Sequence, residues 1–375
     1  MATIAIVGAG ITGLLCAQAL QQQGHSVVVY EKSRGLGGRM ATRRVGGTRA
    51  DHGVRYLEPT GNLGQLMGIL HDRKIVRSWR GAIARLLPDG SCQMLSHSRR
   101  YVANDGMTAI AKWLAQGLTI HRQHRITAIS PTASHWNLTV EETDHPRSEA
   151  AADLIVLTVP APQAVALLKP LIPNGLPRSL VEAIHAVRFA PCITAIATYD
   201  TERWDDLDHS QAWHGLLFEA HPDLAWISFE NSKRPTLGQS HPSASRSTLP
   251  VFIFQSTANF AEQHLDTADL YPVGQHLLKQ ATQHLYQWMD MPANLAVHRW
   301  RYAIASSPYP DRYISVQTPL PLVCAGDWCG GHQVVDAIQS GLAAANSINQ
   351  QFSTHATPRS LRDILNAMSD RPPLP

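Results

Sequence analysis

The stretch IAIVGAGITGLL, residues 4–15, restricts this chain more than any other feature. Gly8, Gly10 and Gly13 form G-x-G-x-x-G between an apolar run at 3–7 and a helical pattern at 11–23. SVVVY at 26–30 then reads as a second buried strand closed by Glu31. That order predicts one strand–helix–strand unit with parallel strands. In such a unit the first glycine makes the tight turn, the second lets backbone approach a pyrophosphate, and the third lets helix and strand pack closely. The phosphates sit at the helix N-terminus, where Ile11 and Thr12 present backbone N–H groups. Glu31 is placed to accept hydrogen bonds from ribose hydroxyls, which disfavours a 2′-phosphate there. The motif by itself leaves NAD and FAD open.

Composition narrows the partner. With 375 residues, 44% hydrophobic and 16% charged, the chain can bury one large core or two interleaved ones. A formal charge of +3 gives no basis for a nucleic-acid groove or a polybasic membrane patch, so the expected partner is a small molecule. Only Lys32, Lys74, Lys112, Lys169, Lys233 and Lys279 among the 32 basic residues are lysines; the rest are arginines, whose forks suit phosphate and carboxylate. Five cysteines argue against a disulfide framework and for a reducing compartment. Cys324 and Cys329 lack companions at zinc-ligand spacing, so no metal is expected. No basic residue precedes the apolar N-terminal run, and no uninterrupted apolar run has bilayer-spanning length. The expectation is a soluble, cytoplasmic protein.

Beyond the first unit, residues 33–56 are rich in glycine and arginine, and 57–100 show no strong period. A second α/β stretch follows, with a helix at 108–115, strands near Ile120 and Ile126, and strands at 136–141 and 153–159. From 161 to 295 the texture changes to alternating strands such as AWISFEN (225–231) and VFIFQS (251–256). An amphipathic helix places Val273, Leu277, Ala281, Leu285 and Trp288 on one face. Residues 234–248 read as a flexible loop, and the last twenty or so as a loosely held tail.

After Glu31, R-G-L-G-G-R-M (34–40) pairs Gly37 and Gly38 between Arg34 and Arg39, so backbone can lie against a flat or phosphorylated ligand while the arginines neutralise pyrophosphate. This run resembles the paired-glycine signature of flavin amine oxidases. Together with ADHG (50–53), GM (106–107), DLIVLTVPAPQ (153–163), RWRYA (299–303) and CAGDW (324–328), the sequence resembles the renalase branch of that superfamily. The matches run in order along nearly the whole chain, with 165–295 divergent.

The resemblance implies an α/β fold. A discontinuous Rossmann-type FAD-binding domain (1–60, 101–163 and 296–350) would carry an inserted mixed-sheet α+β substrate domain (61–100 and 164–295), followed by a tail at 351–375. It implies non-covalent FAD held by Gly8, Gly10, Ile11, Thr12, Gly13, Glu31, Lys32, Arg34, Gly38, Arg39, Met40, Ile126, Gly326, Asp327 and Val334. The helix at 334–349 would aim its N-terminus at the flavin. It further implies oxidation of 2- or 6-dihydro isomers of NAD(P) to NAD(P)+, with O2 reduced to H2O2. Aromatisation of the ring drives that step, so no acid–base residue is required, and none stands out among the 19 histidines. His52, Arg55, Tyr56, Trp300 and Tyr302 are the expected substrate contacts. An amine or amino-acid oxidase is the alternative; such enzymes place a lysine near the flavin, and none of the six lysines lies in the returning strands. A non-catalytic flavin-binding protein and a plain NAD-dependent dehydrogenase are the remaining alternatives.

Overall fold

The computed structural model describes residues 1–95, 98–142, 147–208, 213–234, 248–352 and 357–369. The loop expected at 234–248 lies mostly outside these residues. A six-stranded sheet runs in the order Ile314–Val316, Leu322–Cys324, Leu154–Leu157, Thr3–Val7, Ser26–Glu31, Thr119–Arg122. All its pairs are parallel except the edge pair Ile314–Val316 with Leu322–Cys324. The chain therefore leaves this sheet and returns to it more than three hundred residues after its first strand. Alternate residues face opposite layers: Ile4, Ile6, Leu154 and Val156 pack against the helices, while Ala5, Val7, Ile155 and Leu157 pack against a second layer. Burial on both faces explains why these strands are almost wholly apolar.

The helices Ile11–Gln21, Gly61–Asp72, Thr108–Leu114 and Val334–Phe352 contribute to one layer. Thr12 Oγ1 donates to the Ala337 carbonyl at 3.0 Å, and a Cβ on Gly341 would come within 2.6 Å of the Thr12 carbonyl oxygen. Gly341 thus lets the first helix and the helix Val334–Phe352 approach closely. The other layer is the antiparallel sheet His124–Pro131, Trp136–Glu142, Ser148–Ala152 with the helices Ala161–Leu168 and Arg178–His185.

The inserted part is a mixed seven-stranded sheet in the order Asn294–Ser307, Arg188–Thr198, Val251–Ser256, Leu224–Phe229, Gly215–Phe218, Ile83–Leu86, Cys92–Met94. Ile193, Ala195, Ala197, Phe252 and Phe254 cover the helix Tyr271–Thr282 from one face. Thr194, Gln255 and Trp226 stand in register on the other face.

Three differences from the sequence reading have physical causes. The expected amphipathic helix ends at Thr282; Leu285 and Trp288 join the same cluster from the following turns. Residues 57–100 contain the helix Gly61–Asp72, whose Gly61, Gly64 and Gly68 weaken its helical signal, and strands of only three or four residues, too short to show a period. The expected loose tail instead holds the helix Leu361–Ser369, which buries Leu361, Ile364, Leu365 and Met368 in the first layer.

Candidate functional site

The glycine loop behaves as its spacing predicts. Gly8 has φ of +112°, and a Cβ on Gly13 would lie 2.1 Å from the Gly8 carbonyl oxygen, so both glycines serve the turn and its packing. Gly10 differs: its Cβ position has no atom within 4 Å, and that of Gly38 lies 3.9 Å from the Gly10 Cα. The two loops therefore face open space across a narrow gap. Glu31 fixes the first loop from behind, accepting from Ala9 N at 2.9 Å through Oε2 and from Ser33 N at 2.8 Å through Oε1. Gly37 N donates to the Ala9 carbonyl at 2.9 Å and joins the second loop to the first. The residues present fit an extended dinucleotide: an open glycine gap at a helix N-terminus, backed by an acidic residue at the end of the second strand.

The returning strand closes the other end. Gly326 N donates to Ser340 Oγ at 2.9 Å, and Asp327 takes the Arg39 fork in two bonds of 2.7 and 2.6 Å. Arg39 Nη1 also donates to the Tyr302 and Ala303 carbonyls at 3.4 and 3.3 Å. Arg39 and Asp327, each expected to meet a cofactor, are thus brought together, and one guanidinium ties three chain segments. Arg34 and Lys32 are exposed, and Lys32 Nζ approaches Gln163 Oε1 at 3.5 Å. Met40 is buried in the helical layer, and Ile126 lies in the cluster with Tyr30 and Trp136. The N-terminus at Val334 is partly answered from within: Asp336 Oδ2 accepts from His332 N and Gln333 N, both at 3.0 Å.

Asp51 anchors the loop that follows. The hairpin Thr42–Val45 with Thr48–Asp51 turns through Gly46 and Gly47, both at positive φ. At its end the fully buried Asp51 carboxylate accepts from Thr42 Oγ1 at 2.7 Å and Met107 N at 2.9 Å, and pairs with Arg234 and, at 3.9 Å, with Lys233. Glu230 pairs with Lys233 at 2.7 Å and accepts from Asp51 N at 2.9 Å. Burial alone would push the Asp51 carboxyl up, but Arg234 and Lys233 overcome it and hold it below its ordinary value.

Residues 52–56 then lie across the inserted sheet. Trp300 Nε1 donates to the His52 carbonyl at 2.9 Å, Gln255 Nε2 to the Gly53 carbonyl at 3.1 Å, and Arg55 Nε to Gln255 Oε1 at 2.6 Å. The His52 and Trp300 rings stack at 5.5 Å and 27°, with His298 edge-on to both. Tyr302 meets Phe189 edge-on at 5.6 Å. Trp300 stands opposite Cys192, and His298 opposite Thr194. The expected contacts therefore divide. His52, Trp300 and Tyr302 share the end of the face near Arg39. Arg55 bridges toward Trp226, its guanidinium 4.7 Å from that ring, and Tyr56 packs among Trp79, Trp226 and Arg100.

Sequence reading missed Cys192, Gln255, Trp226 and His298 on this face, and the Asp51, Glu230, Lys233 and Arg234 cluster. The available signals were the single glutamine inside VFIFQS and the alternation His298-x-Trp300-x-Tyr302. The ion cluster gave none, because Glu230, Lys233 and Arg234 are sealed only by Asp51, which lies far away in sequence.

These features, a twice-gripped dinucleotide cradle beside an inserted sheet, define a class, and comparison identifies it. Residues 6–72 match the NAD(P)-binding Rossmann-like domain, and residues 80–349 match the flavin containing amine oxidoreductase family. The chain belongs to that family and is an FAD-dependent oxidoreductase. Within it the chain is renalase-like: it is 25% identical to mouse (Mus musculus) renalase over 344 residues, covering 87% of this chain and 93% of that one. The cyclohexylamine oxidase of Brevibacterium oxydans superposes with a TM-score of 0.65 at 13% identity, over 94% of this chain and 99% of that one. Putrescine oxidase bound to putrescine superposes with a TM-score of 0.65 at 15% identity, over 92% and 98%. Among the described residues no helix is long and apolar enough to cross a membrane.

Burial, reinforced by His298, pulls the His52 imidazole down to about 4. The unfolded chain binds that proton near 6.5, so between these values it holds more protons than the folded chain. Stability is therefore expected to fall as pH drops from about 6.5 to about 4. His52→Phe should flatten that part of the profile, measured as denaturation midpoints across the range. Parallel profiles for the two proteins would remove the buried neutral imidazole.

Proposed function

We propose that this enzyme oxidises the 2- or 6-dihydro isomers of NAD(P) to NAD(P)+, with O2 as acceptor and H2O2 as product. The observation that carries this reading is the stacked pair of His52 and Trp300 beside the Arg39 junction. It is a flat aromatic surface suited to a dihydropyridine ring, flanked edge-on by His298, with no carboxylate pair around it among the described residues. The similarity to renalase supports the same reading. FAD, when bound, supplies a two-electron acceptor that takes hydride from the ring and passes the electrons to oxygen.

The chain's own residues do the rest. Gly10, Ile11, Thr12 and Gly38 would hold the pyrophosphate, and Gly326 and Asp327 would hold the far side of the cofactor, where Cys329 is a buried packing residue. Lys32, Arg34, Met40, Ile126 and Val334 would complete the cofactor contacts that the family pattern implies. Trp300, fixed by its hydrogen bond to the His52 carbonyl, sets the plane of the ring. His52 stays uncharged near neutral pH and so does not repel the cation that the oxidised ring becomes. The amine-oxidase alternative is weakened by the lysines: Lys233 is sealed against Glu230 and Asp51, and Lys279 is exposed on the far helix.

Two glycines separate cofactor binding from folding. Gly10→Ala adds a Cβ to empty space, so the protein should keep its stability and lose most of its bound flavin. Gly13→Ala drives a Cβ into the Gly8 carbonyl, an overpacking that costs about 1–3 kcal/mol or more. Flavin absorbance per polypeptide and thermal unfolding distinguish the two, and full occupancy in Gly10→Ala would move the pyrophosphate elsewhere. The substrate reading is tested by anaerobic mixing of the yellow protein with borohydride-reduced NAD+, which contains the 2-, 4- and 6-dihydro isomers. Bleaching by the mixture, and not by pure 4-dihydro NADH or by amines, is expected, and slower bleaching in Trp300→Ala. Bleaching by amines alone would replace this reading with the alternative.

A further inference from the structure

Arg43 stands at the edge of the aromatic platform with nothing attached to it. It lies in the hairpin strand Thr42–Val45, directly opposite Ala50. Opposed residues of an antiparallel pair share a face, and so do residues two apart in one strand, so Arg43, Ala50 and Val45 are on one side of the hairpin. Ala50 and Val45 pack on Ile196, Val251, Ile253 and Ala296, so that side is turned toward the inserted sheet. Ala296 begins the alternation that continues through His298 and Trp300 in the strand Asn294–Ser307. Arg43 therefore lies over the same sheet face as the platform. Its charge is felt there: burial is the larger influence that keeps the His52 and His298 imidazoles from taking a proton, and Arg43 adds to it.

The root of this side chain is fixed while its head is free. Thr42 N donates to Thr108 Oγ1 at 3.0 Å, and Asp51 is sealed in its ion cluster. At the turn, a Cβ on Gly46 would lie 3.1 Å from Leu249 and 3.3 Å from Thr198 and Val251, so the hairpin tip sits closely on the inserted sheet. Arg43 itself is exposed and, among the described residues, has neither an ion pair nor a hydrogen bond. Arginines near it in the hairpin and the cleft are committed: Arg49 to Asp105 at 3.0 Å, Arg234 to Asp51 and Arg39 to Asp327. A guanidinium with a fixed stem and an open fork matches a phosphate in two parallel N–H bonds.

Resting on the substrate reading above, we propose that Arg43 is a specificity-determining residue that grips the 5′-phosphate of the nicotinamide nucleotide, so that the enzyme selects a phosphorylated substrate over its riboside. A single ribose joins the ring to that phosphate. With the ring on His52 and Trp300, the phosphate stands at the margin of the platform, within the span of the long Arg43 side chain. Binding energy taken from a group remote from the reacting carbon then serves to hold the ring in place.

The test uses the full FAD-loaded chain and requires no turnover. Nicotinamide riboside, nicotinamide mononucleotide and NAD+ are titrated as oxidised probes, with binding read by calorimetry and by the flavin difference spectrum. The mononucleotide is expected to bind roughly tenfold more tightly than the riboside, as a charge-assisted fork should provide. That advantage should shrink as salt is raised, because the fork is exposed. Arg43→Gln should bring mononucleotide and riboside within about twofold of each other without changing riboside affinity, and Arg43→Lys, which keeps the charge but not the fork, should fall between. Arg44→Gln, on the opposite side of the same hairpin, should keep the full advantage. Equal affinities for riboside and mononucleotide in the unaltered protein overturn the proposal, and that comparison depends on no variant. It is also overturned by an advantage that survives in Arg43→Gln, that is lost equally in Arg44→Gln, or that appears only with NAD+. If the mononucleotide gains affinity through Arg43 while no dihydro isomer bleaches the flavin, the phosphate grip stands and the substrate reading falls. If the isomers bleach the flavin and the phosphate gives no advantage, the reverse holds.

Discussion

Four buried charges hold the working parts of this enzyme in register. Asp51 ends a hairpin that forms a two-stranded sheet of its own and packs on the inserted sheet through Ala50, while Glu230, Lys233 and Arg234 follow a strand of the inserted sheet. The hairpin contributes one carboxylate and the inserted sheet one carboxylate and two cations, and the remaining lone pairs accept from Thr42, Met107 and Ser228. Such a set adds little net stability over an apolar core, but removing one member strands the others at a cost of about 3–5 kcal/mol. Its effect is geometric. It pins the residue immediately before His52, and so sets where 52–56 cross the inserted sheet.

That crossing makes the cleft. Backbone carbonyls of His52 and Gly53 are held by side chains of the sheet, Trp300 and Gln255, and Arg55 reaches back to the same Gln255. The loop and the sheet face therefore share their polar groups and leave two different surfaces beside the cradle: a neutral aromatic platform at His52 and Trp300, and a cation with a free fork at Arg55. In the proposed function the aromatic platform carries the ring. The Arg39–Asp327 pair joins this cleft to the returning strand, since Arg39 also holds the carbonyls of Tyr302 and Ala303.

The sequence was most informative where structure is local. Gly8, Gly10 and Gly13 declare their separate roles through spacing alone, and the strands at 3–7 and 251–256 have the expected limits because apolar runs end there at turns. It was least informative where contacts span the chain. Arg39 and Asp327 were each read as facing a ligand, yet their nearest partners are each other, 288 residues apart. Lys233 gave no sign of being sealed: its pair with Glu230 is local, but Asp51, which completes the cluster, lies on another sheet. The helix Leu361–Ser369 was read as tail because its stripe of Leu361, Ile364, Leu365 and Met368 is short and finds its cover only in the helical layer.

The claim at the centre of this account is that the cleft removes a hydride from a ring carbon of an isomeric dihydronicotinamide. Reducing NAD+ with borodeuteride places deuterium on the carbons from which that hydride leaves. With the deuterated isomers, anaerobic flavin bleaching in a single turnover should become biphasic, the fraction whose deuterium faces the flavin slowing several-fold relative to the protiated isomers. Identical rates at saturating substrate would contradict it.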